Sequence, residues 1–289
     1  MLRLLLICLL PAASFSQTIP YRQYREGSVL EYRLTSESFQ NATFSGKSVA
    51  FAKMEVVSDS GQLAEEISWR AKTTYSGSDT TDLTPAARRV KPYRISLLPE
   101  GSVPLPTLDN PVMVGEITDL NTFFVAISPK LNMHKLSRRQ PVYVNEKTLE
   151  GNFAEGISIL RGSDCIQTSQ RLVKHKKRYT VIQTDFMPPA SRCITPLTDT
   201  IAQKTFDHPN NFQMLQKTAG GSLNLLWGTE SFTVTCRIDN RDGKIISATM
   251  TNELNLRLRV NISPDLSSYA VEIPFKIKRN LLLEWIPPR

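Results

Sequence analysis

The stretch Asn252-Glu253-Leu254-Asn255-Leu256-Arg257-Leu258-Arg259-Val260 decides the fold class, because polar and apolar residues alternate through it without a break. Successive side chains of a β-strand point to opposite faces of a sheet, so the alternation predicts a strand with one packed and one wet face. Just before it, the turn Asp239-Asn240-Arg241-Asp242-Gly243 predicts a hairpin, since Gly243 adopts a positive φ at little cost. Antiparallel pairing is therefore expected here.

Most of the remaining sequence also reads as strands joined by tight turns. Short alternating runs are bounded by Gly, Asp, Asn and Ser, and Ser58-Asp59-Ser60-Gly61 forms another hairpin turn. The predicted strands are 28–37, 47–57, 62–74, 141–144, 151–159, 165–174, 178–186, 231–238, 244–260 and 269–286. The sequence thus predicts a mainly β protein built on a large antiparallel sheet, either a curved sheet or a sandwich.

The middle of the chain has a different character. Segment 85–111 holds six prolines, which remove backbone donors and fix φ, so it is predicted to be an extended surface connection that could join two lobes. After it, apolar residues at helical spacing predict a helix over 112–127, although the β-branched residues of 122–127 leave a strand open as the alternative. A second, short helix is considered around 212–217. One or two helices are therefore expected against the sheet.

The first sixteen residues have the composition of a signal peptide. Arg3 supplies a positive start, residues 4–11 form an apolar run too short to span a bilayer, and small residues precede Gln17. We expect export to the periplasm or the exterior, with a β-rich domain over 17–289. No second apolar run approaches the roughly 20 residues of a membrane helix, so an integral membrane protein is not expected.

Three cysteines follow the leader, an odd number for an oxidising compartment. Cys236 lies on the apolar face of the alternating run 232–238 and is predicted to be a buried, unreactive thiol. Cys165 and Cys193 flank the basic hairpin from outside its strands, so a bridge between them is the favoured pairing.

No catalytic, metal or cofactor signature is present. His134, His175 and His208 stand in separate contexts, and no compact set of ligands accompanies them. Arg241 occupies a position where a calcium loop needs oxygen, and no Gly-x-Ser-x-Gly elbow occurs. A hydrolase with an unrecognised site therefore stays third among the hypotheses, and it requires a Ser or Asp near one of the histidines.

The densest charge lies at a predicted turn, in Lys174, Lys176, Lys177 and Arg178. These residues could contact phosphate groups of a lipid or polysaccharide, or form a solvated hairpin tip that limits edge pairing. The chain carries a formal net charge of +8, but its other basic residues are scattered, so nucleic acid is not expected as a partner.

One helix cannot cover a face of a large sheet, and this shortage suggests an open face for an apolar ligand. The expected wall is Leu120, Phe123, Phe124 and Ile127. A curved sheet with a helix is an architecture of periplasmic lipoprotein carriers, a likeness of fold alone. The first hypothesis is a non-catalytic cell-envelope binding protein for a lipid or other apolar ligand. The second is a structural or protein-binding module of the envelope.

Overall fold

The computed structural model describes residues 22–98, 110, 112–127, 136, 142–146, 151–153, 157–160, 166–187, 211–218, 222–263 and 268–288. Up to residue 127 these ranges form β1 (Val29–Gln40), β2 (Thr43–Asp59), β3 (Gln62–Ser76), β4 (Asp79–Asp82), α1 (Thr84–Arg88), β5 (Tyr93–Ser96) and α2 (Val114–Ala126). Then come β6 (Val142–Glu146), β7 (Gly151–Phe153), β8 (Ile157–Leu160), β9 (Ile166–His175), β10 (Tyr179–Met187), β11 (Phe212–Lys217), β12 (Leu223–Asp239), β13 (Ile245–Ile262) and β14 (Val271–Ile286). The predicted signal peptide and the Cys165–Cys193 pair lie outside the described residues.

The strands belong to a single antiparallel sheet. Ten of them follow one another in the order β4-β3-β2-β1-β14-β13-β12-β10-β9-β6, while β5 pairs with β3, β11 pairs with β12 and β8, and β7 pairs with β8. The first and last long strands are neighbours, with Tyr32 opposite Trp285. The prediction of a mainly β fold with a large antiparallel sheet is confirmed. Of the two arrangements expected, a single sheet rather than two stacked ones forms within the described ranges.

The alternation that predicts the sheet is visible in β13. Leu254 and Leu256 are buried, whereas Glu253, Asn255 and Arg257 are exposed. We call the side that contacts α2 the helix face and the other side the back face. The hairpin turn before β13 forms as predicted, with Gly243 at φ 74°.

The main core lies between the helix face and the two helices. Its sheet side includes Tyr32, Leu34, Met54, Trp69, Val234, Met250 and Leu283, and its other side includes Ala87, Ile117, Leu120, Phe123 and Phe124. The helix predicted over 112–127 is confirmed as α2, which buries its apolar side in this core.

Two segments differ from their predictions. Residues 212–217 form β11 rather than a short helix, because the edge of β12 offers a hydrogen-bonded ladder, with Met214 opposite Leu226, and so short a helix has little stability of its own. The proline-rich segment is not extended throughout. It contains α1, whose Pro85 suits the first turn, and β5, and both Ala87 and Ile95 are fully buried.

Candidate functional site

Helix α2 lies across the strands of the helix face. Glu116, in its first turn, meets Lys72 of β3. At the other end the carbonyl oxygen of Ala126 accepts hydrogen bonds from Gln170 of β9 (2.7 Å) and Thr184 of β10 (2.8 Å). Six strands separate β3 from β9 in the sheet. A helix is about 10 Å wide and a 16-residue strand about 54 Å long, so α2 covers only a band of the face.

The first ion pair beneath α2 joins it to β3. Lys72 Nζ donates to Glu116 Oε2 at 2.5 Å and to the carbonyl oxygen of Val112 at 2.6 Å. Ser48 Oγ on β2 donates to the other oxygen of Glu116 at 2.9 Å. Both charged side chains are less than a tenth exposed. These contacts satisfy the buried carboxylate, which would otherwise be costly to desolvate.

The second ion pair joins α2 to β14. Arg279 Nη1 donates to Asp119 Oδ1 at 2.8 Å, and Nη2 contacts the other carboxylate oxygen. Burial raises the pKa of Asp119 to about 6, with Arg279 opposing the rise and Glu116 and Glu230 adding to it. Asp119 is therefore held as a charged group at neutral pH chiefly by its contact with Arg279.

The predicted ligand wall lies within the packed core. Leu120, Phe123, Phe124 and Ile127 are 0 to 5% exposed and contact the sheet side chains beneath α2. Phe124 makes an edge contact with Tyr32, their ring centroids 6.3 Å apart. A ligand at this wall would have to displace the helix, and a role for the four residues in binding stays a prediction.

A second apolar cluster lies on the helix face beyond α2. It consists of Phe212, Leu226, Leu254, Leu256, Phe275 and Ile277. All six stand on β11 to β14, so among the described residues the cluster has a sheet layer and no second layer. Toward the strand ends two cross-strand pairs continue it, Leu258 opposite Ile273 and Val260 opposite Val271. We call the cluster and these four residues the distal apolar surface.

The rim of the distal apolar surface is open to solvent. Ile273 is 43% exposed and Val271 is 46% exposed. A glycine lies beside the cluster, where β12 and β13 approach closely, because a Cβ on Gly228 would stand 2.2 Å from the carbonyl oxygen of Asn255. Gly228 therefore adds no side chain to the surface opposite Leu256.

The N-terminal segment is anchored by a buried ion pair that the sequence did not signal. Arg22 contacts Glu65 on β3, donates to the carbonyl oxygen of Ser96 at 3.2 Å, and lies 4.9 Å from the centre of the Phe124 ring. Burial raises the pKa of Glu65 and Arg22 opposes the rise. Glu66, its neighbour, faces the back of the sheet and pairs with Arg94.

The basic run lies where the sequence places it, at the β9–β10 turn. Lys174, Lys176, Lys177 and Arg178 are all exposed. His175 Nδ1 is 2.9 Å from Thr180 Oγ1, and within the described residues this histidine makes no hydrogen bond to a Ser or Asp of the kind a hydrolase needs. His134 and His208 lie outside those residues. In the same ranges no three His, Cys, Asp or Glu side chains group as a metal site requires.

The buried thiol prediction is confirmed. Cys236 is 1% exposed and unbridged, and burial raises the pKa of its thiol well above the usual range. Neither of the two helices in the described part of the chain is long and apolar enough to cross a bilayer.

Comparison with known proteins gives no family. No protein-family model matches the chain, and no curated protein matches it. A solved structure titled as lipid–protein interactions in lipovitellin is weakly similar, with a TM-score of 0.39 and 13% sequence identity. The similarity covers 92% of this chain and 26% of the lipovitellin chain, so this chain spans about a quarter of that protein's length.

Proposed function

We propose that the chain is an exported, non-catalytic binding protein for a lipid or other apolar ligand, which lies on the distal apolar surface. One observation carries the proposal: within the described residues the cluster lies on strands of one sheet, and Ile273 and Val271 at its rim are 43% and 46% exposed. An apolar sheet face normally packs against a second layer. Apolar residues that stay exposed beside a buried cluster, as Val271 and Ile273 do at this rim, are typical of a binding surface.

The shape of the surface favours an extended hydrocarbon chain. Leu254, Leu256, Leu258 and Val260 occupy every second position of β13 on the helix face. From the first to the last they span about 20 Å along the strand. Side chains of β12 and β14 flank them, so a linear ligand along β13 would contact three strands. Burial of apolar area contributes about 25 cal/mol per Å², and the exposed rim provides area that is still in contact with water.

The polar residues beneath α2 bound the surface at its inner end. Arg279 lies two residues from Ile277 along β14, on the same face of the sheet. Opposite it on β13, the side chain of Asn252 donates a hydrogen bond to Glu230 at 3.0 Å. A ligand with a polar head and an apolar tail matches this order of side chains along the strands. The head would lie toward α2 and the tail toward the rim.

The test is a titration with a fluorescent fatty acid. The variant Val271→Asp/Ile273→Asp places charge on the rim at positions that are already exposed, so folding is retained. We expect affinity to fall at least about tenfold, since two contacting side chains lose apolar burial. The matched control is Val29→Asp/Phe51→Asp, whose residues are 47% and 37% exposed on the back face. Equal affinity for both variants and the unmodified chain would contradict the proposal.

Strand addition by a partner protein is less well supported. The sheet ends on one side at β4, a strand of four exposed residues that includes Asp79 and Asp82. A short, charged edge disfavours pairing with another chain. The apolar-ligand proposal is therefore preferred to the envelope interaction module.

A further inference from the structure

Two hairpin turns lie side by side at the end of the sheet opposite the distal apolar surface. One is the β9–β10 turn, residues 176–178, and the other is the β12–β13 turn, residues 240–243. The two become neighbours because β10 pairs with β12, with Tyr179 opposite Asp239. We call residues 174–178 and 237–244 the basic end.

Asn240 joins the two turns through both its side chain and its backbone. Its Nδ2 donates to the carbonyl oxygen of Lys176 at 2.7 Å, and its amide donates to the carbonyl oxygen of Arg178 at 3.0 Å. Its Oδ1 accepts from Thr180 Oγ1 at 2.6 Å. These hydrogen bonds hold the two turns, and therefore their cations, next to each other.

The basic end concentrates positive charge. It holds seven cations against two carboxylates, Asp239 and Asp242, an excess of five in a chain whose whole excess is eight. Asp239 forms ion pairs with Arg241 and Lys244, and Asp242 forms one with Lys244. Both carboxylates are therefore paired with cations of their own turn. The exposed cations are Lys174, Lys176, Lys177, Arg178, Arg237 and Arg241.

An aromatic ring lies among these cations. The Tyr179 ring centre is 4.0 Å from the guanidinium of Arg237 and 6.0 Å from the ammonium of Lys174. The neighbouring N-terminal segment donates from the Gln23 amide to the carbonyl oxygen of Asp242 at 2.7 Å. That segment also carries Arg25 and Glu26, whose charges cancel, so it leaves the excess unchanged.

We propose that the basic end docks the protein on an anionic phospholipid surface. The exposed cations stand on two adjoining turn tips and converge on no single buried point. This arrangement suits many phosphates spread over a surface better than one enclosed phosphate. Clusters of four to eight Lys and Arg bind anionic membranes in this way, and tyrosine is common at the headgroup level. The inference is independent of the apolar-ligand proposal, because it uses the other end of the sheet.

The experiment is sedimentation of the full chain with vesicles of phosphatidylcholine, with and without phosphatidylglycerol. We expect binding only with phosphatidylglycerol, and its loss at high salt, since exposed charges are screened. The variant Lys176→Gln/Lys177→Gln/Arg178→Gln should bind at least about tenfold more weakly. Asn240→Ala keeps every charge but releases the two turns, and it should weaken binding by a smaller factor.

The matched control is Lys47→Gln/Lys276→Gln/Lys278→Gln, which removes the same charge elsewhere, from the exposed Lys276 and Lys278 and from Lys47, whose side chain is 40% exposed. We expect it to bind within about threefold of the unmodified chain, because cations far from the docked surface are screened. Equal losses in the two triple variants would overturn the proposal, as would binding that ignores phosphatidylglycerol. Competition by millimolar inorganic phosphate would also overturn it, since that result indicates a discrete phosphate site. Fatty-acid affinity, measured in parallel, should be unchanged in all these variants.

Discussion

Arg279 of β14 and Asp119 of α2 form a two-point ion pair beneath the helix, in the middle of an otherwise apolar register. Along β14 the helix-face positions on either side of Arg279 are Ile277 and Leu281, and Leu281 is 3% exposed. The pair therefore fixes where α2 crosses the sheet, between the main core and the distal apolar surface. It also separates the two apolar regions with a charged boundary.

Removal of one partner should cost more than removal of both. Asp119→Ala leaves Arg279, whose side chain is 23% exposed, without its carboxylate partner, and we expect a loss of about 3 kcal/mol in the free energy of unfolding. In Asp119→Leu/Arg279→Leu no buried charge is left unpaired, so its loss should be smaller than the sum of the single losses. Urea unfolding of the full cycle measures the coupling. If the sum of the two single losses equals the loss in the double variant within about 0.5 kcal/mol, the two residues are not coupled and the ion pair is contradicted.

Asp119 should make stability depend on pH. Its pKa is about 6 in the folded chain and about 4 when unfolded, so the native state binds the proton more tightly. The stability from protonation is fully present below about pH 4 and is lost as pH rises through about 6. Relative to Asp119→Asn, the unmodified chain should gain up to about 3 kcal/mol between pH 7 and pH 4.

Urea unfolding at each pH from 7 to 4 measures that difference. Because Asn does not titrate, other groups contribute to both proteins and cancel in the comparison. A difference that stays constant, or that falls on acidification, would show that Asp119 does not have the raised pKa.

Gly228 should tolerate no side chain. Its φ is 151°, and an added Cβ would stand 2.2 Å from the carbonyl oxygen of Asn255 and 2.9 Å from Cα of Leu256. We expect Gly228→Ala to lower the free energy of unfolding by roughly 3 kcal/mol or more, because backbone atoms must move. Gly115→Ala is the control, since its nearest neighbour is 3.9 Å away and helical alanine is favoured by about 0.5–1 kcal/mol. Similar thermal midpoints for the two variants would contradict this account.

Cys236 should be unreactive until the chain unfolds. The thiol is buried and its pKa is raised by burial, so little thiolate forms at neutral pH. Labelling with a maleimide should be slow in buffer and rapid in guanidinium chloride. If Cys165 and Cys193 are bridged, a Cys236→Ala chain that begins at Gln17 should expose no thiol on unfolding alone. Rapid labelling of native Cys236 would be inconsistent with its burial.

Local patterns were enough to predict the sheet and its principal helix. The unbroken alternation from Asn252 to Val260 predicts a strand, and the spacing of Ile117, Leu120 and Phe124 favours a helix over the strand that the β-branched residues of 122–127 also allow. The short helix considered at 212–217 was wrong because the conformation of this segment is set by the free edge of β12, which a six-residue window does not contain.

The ion pairs beneath α2 could not be predicted in the same way. Lys72 and Glu116 are 44 residues apart, and Asp119 and Arg279 are 160 apart. A signal was present, because Arg279 interrupts the apolar register of β14, but its partner is known only once α2 is placed. The distal apolar surface was missed for a related reason: its residues are ordinary core types, and only the sheet shows that they lie in one layer of the described part of the chain.

The most direct test of the apolar-ligand proposal is native mass spectrometry of the chain purified from an exporting host without detergent. The account predicts an added mass that disappears on denaturation, is identified as a lipid, and is absent from Val271→Asp/Ile273→Asp but retained by Val29→Asp/Phe51→Asp. A bare mass for the unmodified chain, together with no binding of the fluorescent fatty acid, would contradict it.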